Sequence, residues 1–121
     1  MMQCIGVDIV EIARIKGAIA RWGDRFLHRV YTESELRLCR KKPQSLAARF
    51  AGKEAVIKVL EETTGISWQH IEVLSESGGR PLVRLYGKAK QQAQRLGLSN
   101  ISITLSHSRE YAIAFVIGET R

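Results

Sequence analysis

Cysteine is nearly absent from this 121-residue chain: Cys4 and Cys39 are the only two, and they fit neither a metal-ligand spacing nor a disulfide framework. Two isolated cysteines read as reduced, structural thiols. Long apolar runs are missing too. No stretch approaches the ~18 residues that a membrane span requires, and Met1-Met2-Gln3-Cys4 offers no basic segment leading into an apolar one. The expectation is a cytoplasmic protein. Linkers, internal repeats and low-complexity segments are also missing, so residues 1–121 read as a single domain, small enough for oligomerisation to help it bury a core.

What the chain has in excess is positive charge. Nineteen Lys and Arg against twelve Asp and Glu give a net +7, and residues 11–42 alone hold nine basic residues against four acids. That asymmetry predicts an anionic partner. The segment shows no helix-turn-helix spacing, zinc-finger pattern or aromatic RNP-type motif, which argues against nucleic acid. An acidic protein or a phosphorylated small molecule fits equally well, and a solvated basic face without a partner is the plain structural alternative.

Hydrophobic periodicity places the elements. Ile12, Ile15 and Ile19 mark an amphipathic helix over 11–22 that ends near Gly23. Thr32-Glu33-Ser34-Glu35 has the form of a capping box and starts a short helix closed by Lys41-Lys42-Pro43. A long helix follows at 45–62. Strands over 71–75 and 82–86 flank a Gly78-Gly79-Arg80-Pro81 turn, and residues 88–96 read as a helix with Gly97 just past its end. Ile101, Ile103 and Leu105 alternate with polar residues as a half-buried strand, and 111–117 completes a second hairpin. Helices mixed with antiparallel hairpins in this way predict an α+β fold, strands packed on a long central helix.

Two places break the pattern. Asp8 lies inside Cys4-Ile5-Gly6-Val7-Asp8-Ile9-Val10, which otherwise reads as a buried strand, and a carboxylate in apolar surroundings needs a partner. The helix at 45–62 has no clean polar face: Leu46, Phe50, Ile57 and Leu60 form one stripe with Lys53 in its middle, and Ala47, Ala51 and Ala55 form a small-residue flank bordered by Glu54 and Lys58. Such a helix is expected to be nearly surrounded by protein while carrying four charges, counting Arg49. The simplest reading is an i,i+4 ion pair between Glu54 and Lys58. Taken together, however, one strand carboxylate, one helix carboxylate and flanking cations are what a Mg²⁺-bound diphosphate requires, oxygen ligands for the ion and cations for the phosphates.

Other motifs fail. Gly52-Lys53 is not a P-loop, because Glu54 stands at the Ser/Thr position and no glycine lies five residues before Gly52. Ser106 and His107 cannot act as nucleophile and base, since neighbours on a strand point to opposite faces.

In combination, Gly6-Val7-Asp8, the segment Arg49-Phe50-Ala51-Gly52-Lys53-Glu54-Ala55-Val56-Ile57-Lys58, Gly79-Arg80-Pro81 and Ser106-His107 resemble the 4′-phosphopantetheinyl transferases. The two signature motifs of that superfamily, a G-hydrophobic-D strand and an F-x-x-K-E-x-x-x-K helix, stand here in the right order. The length, and Val10 where the double-length branch usually has an acid, point to the small branch, the holo-[acyl-carrier-protein] synthases. The resemblance implies Mg²⁺-dependent transfer of phosphopantetheine from coenzyme A to a serine of apo acyl carrier protein, releasing adenosine 3′,5′-bisphosphate, for fatty acid biosynthesis. It implies Asp8 and Glu54 as metal ligands, with Lys58 on the diphosphate. Arg49 and His107 would meet the 3′-phosphate, Gly79-Arg80-Pro81 would border the adenosine, and Lys53 would join the coenzyme A set or be structural. It further implies a homotrimer with coenzyme A in clefts between subunits, and Arg14, Arg21 and Arg25 as the cations that dock the acidic carrier. The base that takes the serine proton stays open between a metal-bound water, Glu54 and Glu35.

Two alternatives remain at this point: a broad-specificity transferase acting on polyketide or peptide carriers, and, of another class, a basic nucleic-acid-binding module. The second explains the charge but leaves the settings of Asp8 and Glu54 unaccounted for.

Overall fold

The computed structural model describes residues 1–121. In chain order the elements are β1 (Gln3–Glu11), α1 (Ile12–Trp22), α2 (Asp24–Val30), α3 (Glu33–Cys39), α4 (Pro43–Leu60), β2 (Ile71–Ser75), β3 (Pro81–Leu85), α5 (Gly87–Leu96), β4 (Leu98–His107) and β5 (Tyr111–Thr120). A 3₁₀ turn at Trp68–His70 leads into β2. The strands form a three-stranded antiparallel sheet in the order β1-β5-β4 and a separate β2-β3 hairpin. The fold is α+β, as the mixed periodicities predict.

Helix α4 is the centre of the molecule. Ten of its 18 residues are buried, among them Ala47, Ala51, Ala55 and Lys53, so a helix without a polar face is one packed on nearly all sides. It lies across the inner face of the sheet, where Val10, Ala112, Ala114 and Val116 meet it, and Val73 of the hairpin closes over Gly52. Small residues on α4 let these layers approach closely.

The strand around Asp8 is not buried on both faces as its composition suggests. Gly6, Asp8 and Val10 face α4, whereas Ile5, Val7 and Ile9 point away from it and are 60%, 45% and 59% exposed. Directly across on β5 stand Ile117, Phe115 and Ile113, the last two also exposed. One whole face of the sheet is therefore apolar and uncovered in the protomer.

Three further departures have local causes. Helix α2 was not expected, because only Leu27 and Val30 of its seven residues are buried and no apolar period marks it. Pro43 opens α4 at its first turn instead of closing α3, a position that needs no N–H. Chain reversal before it uses left-handed conformations at Arg40 and Lys41. At the other end α4 stops in a tight turn in which the Glu62 N–H donates to the Leu60 carbonyl at 2.7 Å, with Glu61 at φ 66°, ψ −68°, a strained three-residue turn. The buried Gln92 amide of α5 donates to the same carbonyl at 2.8 Å and fixes the end of the helix.

Candidate active site

Gly6 creates the first half of the site. A Cβ built there would stand 2.1 Å from the Ala55 carbonyl oxygen, so only glycine lets β1 run against the α4 backbone. Asp8, two residues on and facing the same way, is thereby brought to the side of α4 that carries Glu54 and Lys58. The Glu54 carboxyl is pushed above its ordinary range by burial and by the neighbouring Asp8 charge, with Lys58 and Arg14 opposing. Both carboxylates are partly, not fully, withdrawn from water, the Asp8 side chain retaining 20% exposure.

Lys58 does not form the expected i,i+4 pair with Glu54. Its ammonium donates to the Val7 carbonyl at 2.7 Å and stands 3.5 Å from Asp8 Oδ1. The approach of β1 offers it a backbone carbonyl and a carboxylate together, a better setting than one surface partner on its own helix. Asp8, Glu54, Lys58 and Arg14 thus form one cluster, two carboxylates side by side with cations at the margin.

Of the two roles left open for Lys53, the structure supports the structural one and not the place in the coenzyme A set. It has no exposure and lies 2.8 Å from Glu35, also unexposed, while donating to the carbonyls of Trp68 (3.0 Å) and Ile71. Burial pushes its ammonium down and Glu35 opposes that. Glu35 in turn accepts the N–H groups of Thr32 (2.8 Å) and Val73 (2.7 Å), so the capping box is real and is also the far end of a buried ion pair. Neither side chain reaches a substrate: Lys53 leaves the coenzyme A set, and Glu35 leaves the candidate bases.

A second cluster lies elsewhere on the protomer. Arg49, His107, Gly79 and Pro81 line one cavity of about 220 Å³ together with Ser45, Ser75 and Ser106. Arg80 does not line it and points into solvent at the hairpin tip. Arg49 and Glu54 are five positions apart on α4, roughly 140° round the helix. None of Asp8, Glu54 and Lys58 borders this cavity. Sequence reasoning named its cations but missed Ser45 and Ser75. Neither serine belongs to a motif, and only the packing of α4 on the hairpin brings them in.

Arg14, Arg21 and Arg25 are all exposed on α1 and α2. The guanidinium groups of Arg21 and Arg25 sit 5.0 and 5.9 Å from the ring centroid of Trp22, which is half-exposed, so cations and an apolar surface are offered together.

The sequence model of the 4′-phosphopantetheinyl transferase superfamily matches residues 4–116, which spans both clusters. The chain belongs to that superfamily. Within it, this transferase is 54% identical over 118 residues to the holo-[acyl-carrier-protein] synthase of Dehalococcoides mccartyi strain CBDB1, covering 98% of this chain and 99% of that protein. It is 47% identical to the synthase of Herpetosiphon aurantiacus, with 97% and 98% coverage. Its fold is similar to that of the Helicobacter pylori holo-[acyl-carrier-protein] synthase solved in complex with coenzyme A, with a TM-score of 0.86 at 34% identity over 95% of this chain and 99% of that one. This phosphopantetheinyl transferase also has no helix long and apolar enough to cross a membrane.

Proposed function

We propose that this transferase moves the 4′-phosphopantetheine group of coenzyme A onto a serine of apo acyl carrier protein, the carrier of fatty acid biosynthesis, releasing adenosine 3′,5′-bisphosphate in the cytoplasm. The observation that carries the reading is the Asp8–Glu54 pair assembled across the Gly6–Ala55 contact with Lys58 beside it. The relatives named above act on the same carrier class by name, and one binds coenzyme A.

The donor set fits a hard divalent ion. Burial first and the neighbouring Asp8 charge second raise Glu54, and a cation between the two carboxylates would relieve their mutual repulsion. Two side chains do not complete a coordination sphere, which suits Mg²⁺ shared with the diphosphate of a substrate. Asp8 and Glu54 would hold it, and when bound it supplies charge neutralisation at the phosphorus and at the departing phosphate. Lys58, anchored by the Val7 carbonyl, holds a positive charge beside the same diphosphate. Arg49 and His107 bind the 3′-phosphate, a group distant from the reacting bond, so their contribution is to affinity and orientation. Gly79 and Pro81 border the adenosine. The serine proton passes to Glu54 or to solvent at the site, since Glu35 is enclosed.

The two clusters on one protomer call for a second one. We place the acting assembly as a homotrimer, with the Asp8–Glu54 edge of one protomer against the Arg49–His107 cavity of the next. The uncovered apolar face of Ile5, Val7, Ile9, Ile113 and Phe115 supports self-association. Arg14, at the rim of the carboxylate cluster, with Arg21 and Arg25, receives the acidic carrier.

The test is release of adenosine 3′,5′-bisphosphate from coenzyme A, followed by chromatography. Release that requires both apo carrier and Mg²⁺ is expected. Release without carrier, or none with it, would remove the reading.

A further inference from the structure

We infer that Ser75 is a positioning residue for phosphate-monoester selectivity, acting by fixing the guanidinium of Arg49; this rests on the coenzyme A reading of the cavity given above. Ser75 ends β2, opposite Pro81 of β3. Its place is set from two directions. The hairpin register fixes its backbone, and two residues upstream the Val73 N–H is held by the buried Glu35, itself paired to Lys53 of α4. Side chains at 71, 73 and 75 share one strand face, so the anchoring that holds Ile71 and Val73 against α4 also turns Ser75 toward it.

Arg49 leaves α4 at that point and its Nη2 donates to Ser75 Oγ at 2.9 Å. Its Nε–H is buried with no acceptor among the protein's atoms. A guanidinium is a planar fork whose value to a phosphate depends on the direction of its donors. One tether through Nη2 restricts that plane and leaves the other N–H groups for a ligand in the cavity both residues line. An unpaired buried donor is costly, and a phosphate oxygen arriving there recovers the loss. The Ser75 hydroxyl caps no helix and ties no backbone group; its one partner is Arg49.

The consequence is a selectivity device in two layers, a cation that meets the monoester and a hydroxyl that aims the cation. The measurement is steady-state kinetics with coenzyme A and with 3′-dephospho-coenzyme A, for the wild type, Ser75→Ala, Ser75→Thr, Arg49→Ala and the Ser75→Ala/Arg49→Ala double variant. Loss of one charge-assisted hydrogen bond should raise the KM for coenzyme A in Ser75→Ala by about 5- to 10-fold. Its kcat should hold, and the KM for the dephospho substrate should move less than about twofold, because ground-state binding of a remote group is what changes. Ser75→Thr should restore the wild-type ratio, and in the Arg49→Ala background Ser75→Ala should add nothing. Turnover of the dephospho substrate reports folding in the same assay. Ser75→Val, matched in shape to the threonine variant but lacking the hydroxyl, repeats the comparison should Ser75→Ala fold poorly. Equal losses on both substrates in Ser75→Ala would overturn the positioning role, as would an effect that persists without Arg49. If Arg49→Ala itself treats the two substrates alike, the coenzyme A reading of the cavity falls, and this inference with it.

Discussion

Gly6 and Ala55 touch backbone to backbone: a Cβ on residue 6 would lie 2.1 Å from the Ala55 carbonyl oxygen, closer than any side chain can come. That contact is what brings Asp8 beside Glu54. Replacing Gly6 by alanine must push β1 off α4, and the expected cost is about 1–3 kcal/mol of stability, as for an overpacked core. Turnover should fall further than stability, because the carboxylates separate. Urea unfolding together with activity at matched folded fraction checks this; a Gly6→Ala variant with full activity would show that the approach of β1 does not matter to the site.

Glu54 supplies a prediction with a sign. Its carboxyl is raised in the folded protein, so the native state binds this proton more tightly than the unfolded chain does. Stability from this group is therefore lost as pH rises from the unfolded carboxylate range through the raised folded value. Glu54→Gln should be inactive yet more stable than wild type at neutral pH without divalent ions, by a margin kept small by solvent screening of a partly exposed group. The advantage should vanish below about pH 4, where the carboxyl is protonated in both states. Mg²⁺ should stabilise the wild type and not the variant. Thermal melts across pH decide it, and a Gln variant less stable than wild type at neutral pH would contradict the account.

Much of this was legible in the sequence, and the misses share a physical origin. The strand pattern of β4, the capping box at Thr32 and the crowded helix, read at 45–62 and found at Pro43–Leu60, follow from periodicity and local chemistry, which depend on residues close in the chain. Lys53 and Glu35 lie 18 positions apart, and nothing local says that a lysine inside an apolar stripe will meet a capping glutamate. Ile5, Val7 and Ile9 read as core because an apolar strand face left uncovered is indistinguishable in composition from one that packs on a helix. Lys58 was assigned to Glu54 by helical spacing, and the strand that passes beside it took it instead.

Arg14 tests the docking surface. Arg14→Glu, and less strongly Arg21→Glu, should raise the KM for the acyl carrier protein while leaving that for coenzyme A nearly unchanged, because rim charges act through association. Wild-type kcat/KM for the carrier should decline as salt brings the Debye length below about 10 Å, and the reversed variants should respond less. A flat wild-type salt profile would leave the basic excess of residues 11–42 as solvated surface.

The uncovered sheet face predicts an assembly. Phe115→Lys and Ile9→Lys put charge where Val7 and Ile113 stand across the ladder, and should convert a sedimenting trimer to monomers with activity lost. Mixed trimers reassembled from Asp8→Ala chains, inactive alone, and Arg49→Ala chains, weakened alone at low coenzyme A by a raised KM, should at low coenzyme A exceed the summed rates of the two separate variants, since some interfaces then join an intact carboxylate edge to an intact cavity. Monomers with full activity, or mixtures no faster than that sum, would place both halves of the site within one protomer.

The central claim is transfer onto a carrier serine at the Asp8–Glu54 site, and the most direct measurement is the intact mass of apo acyl carrier protein before and after incubation with this protein, coenzyme A and Mg²⁺. The carrier should gain one phosphopantetheine group, on its acceptor serine, with wild type and not with Asp8→Ala or Glu54→Ala. A carrier of unchanged mass in the presence of the folded wild type, or an equal gain with Asp8→Ala, would contradict it.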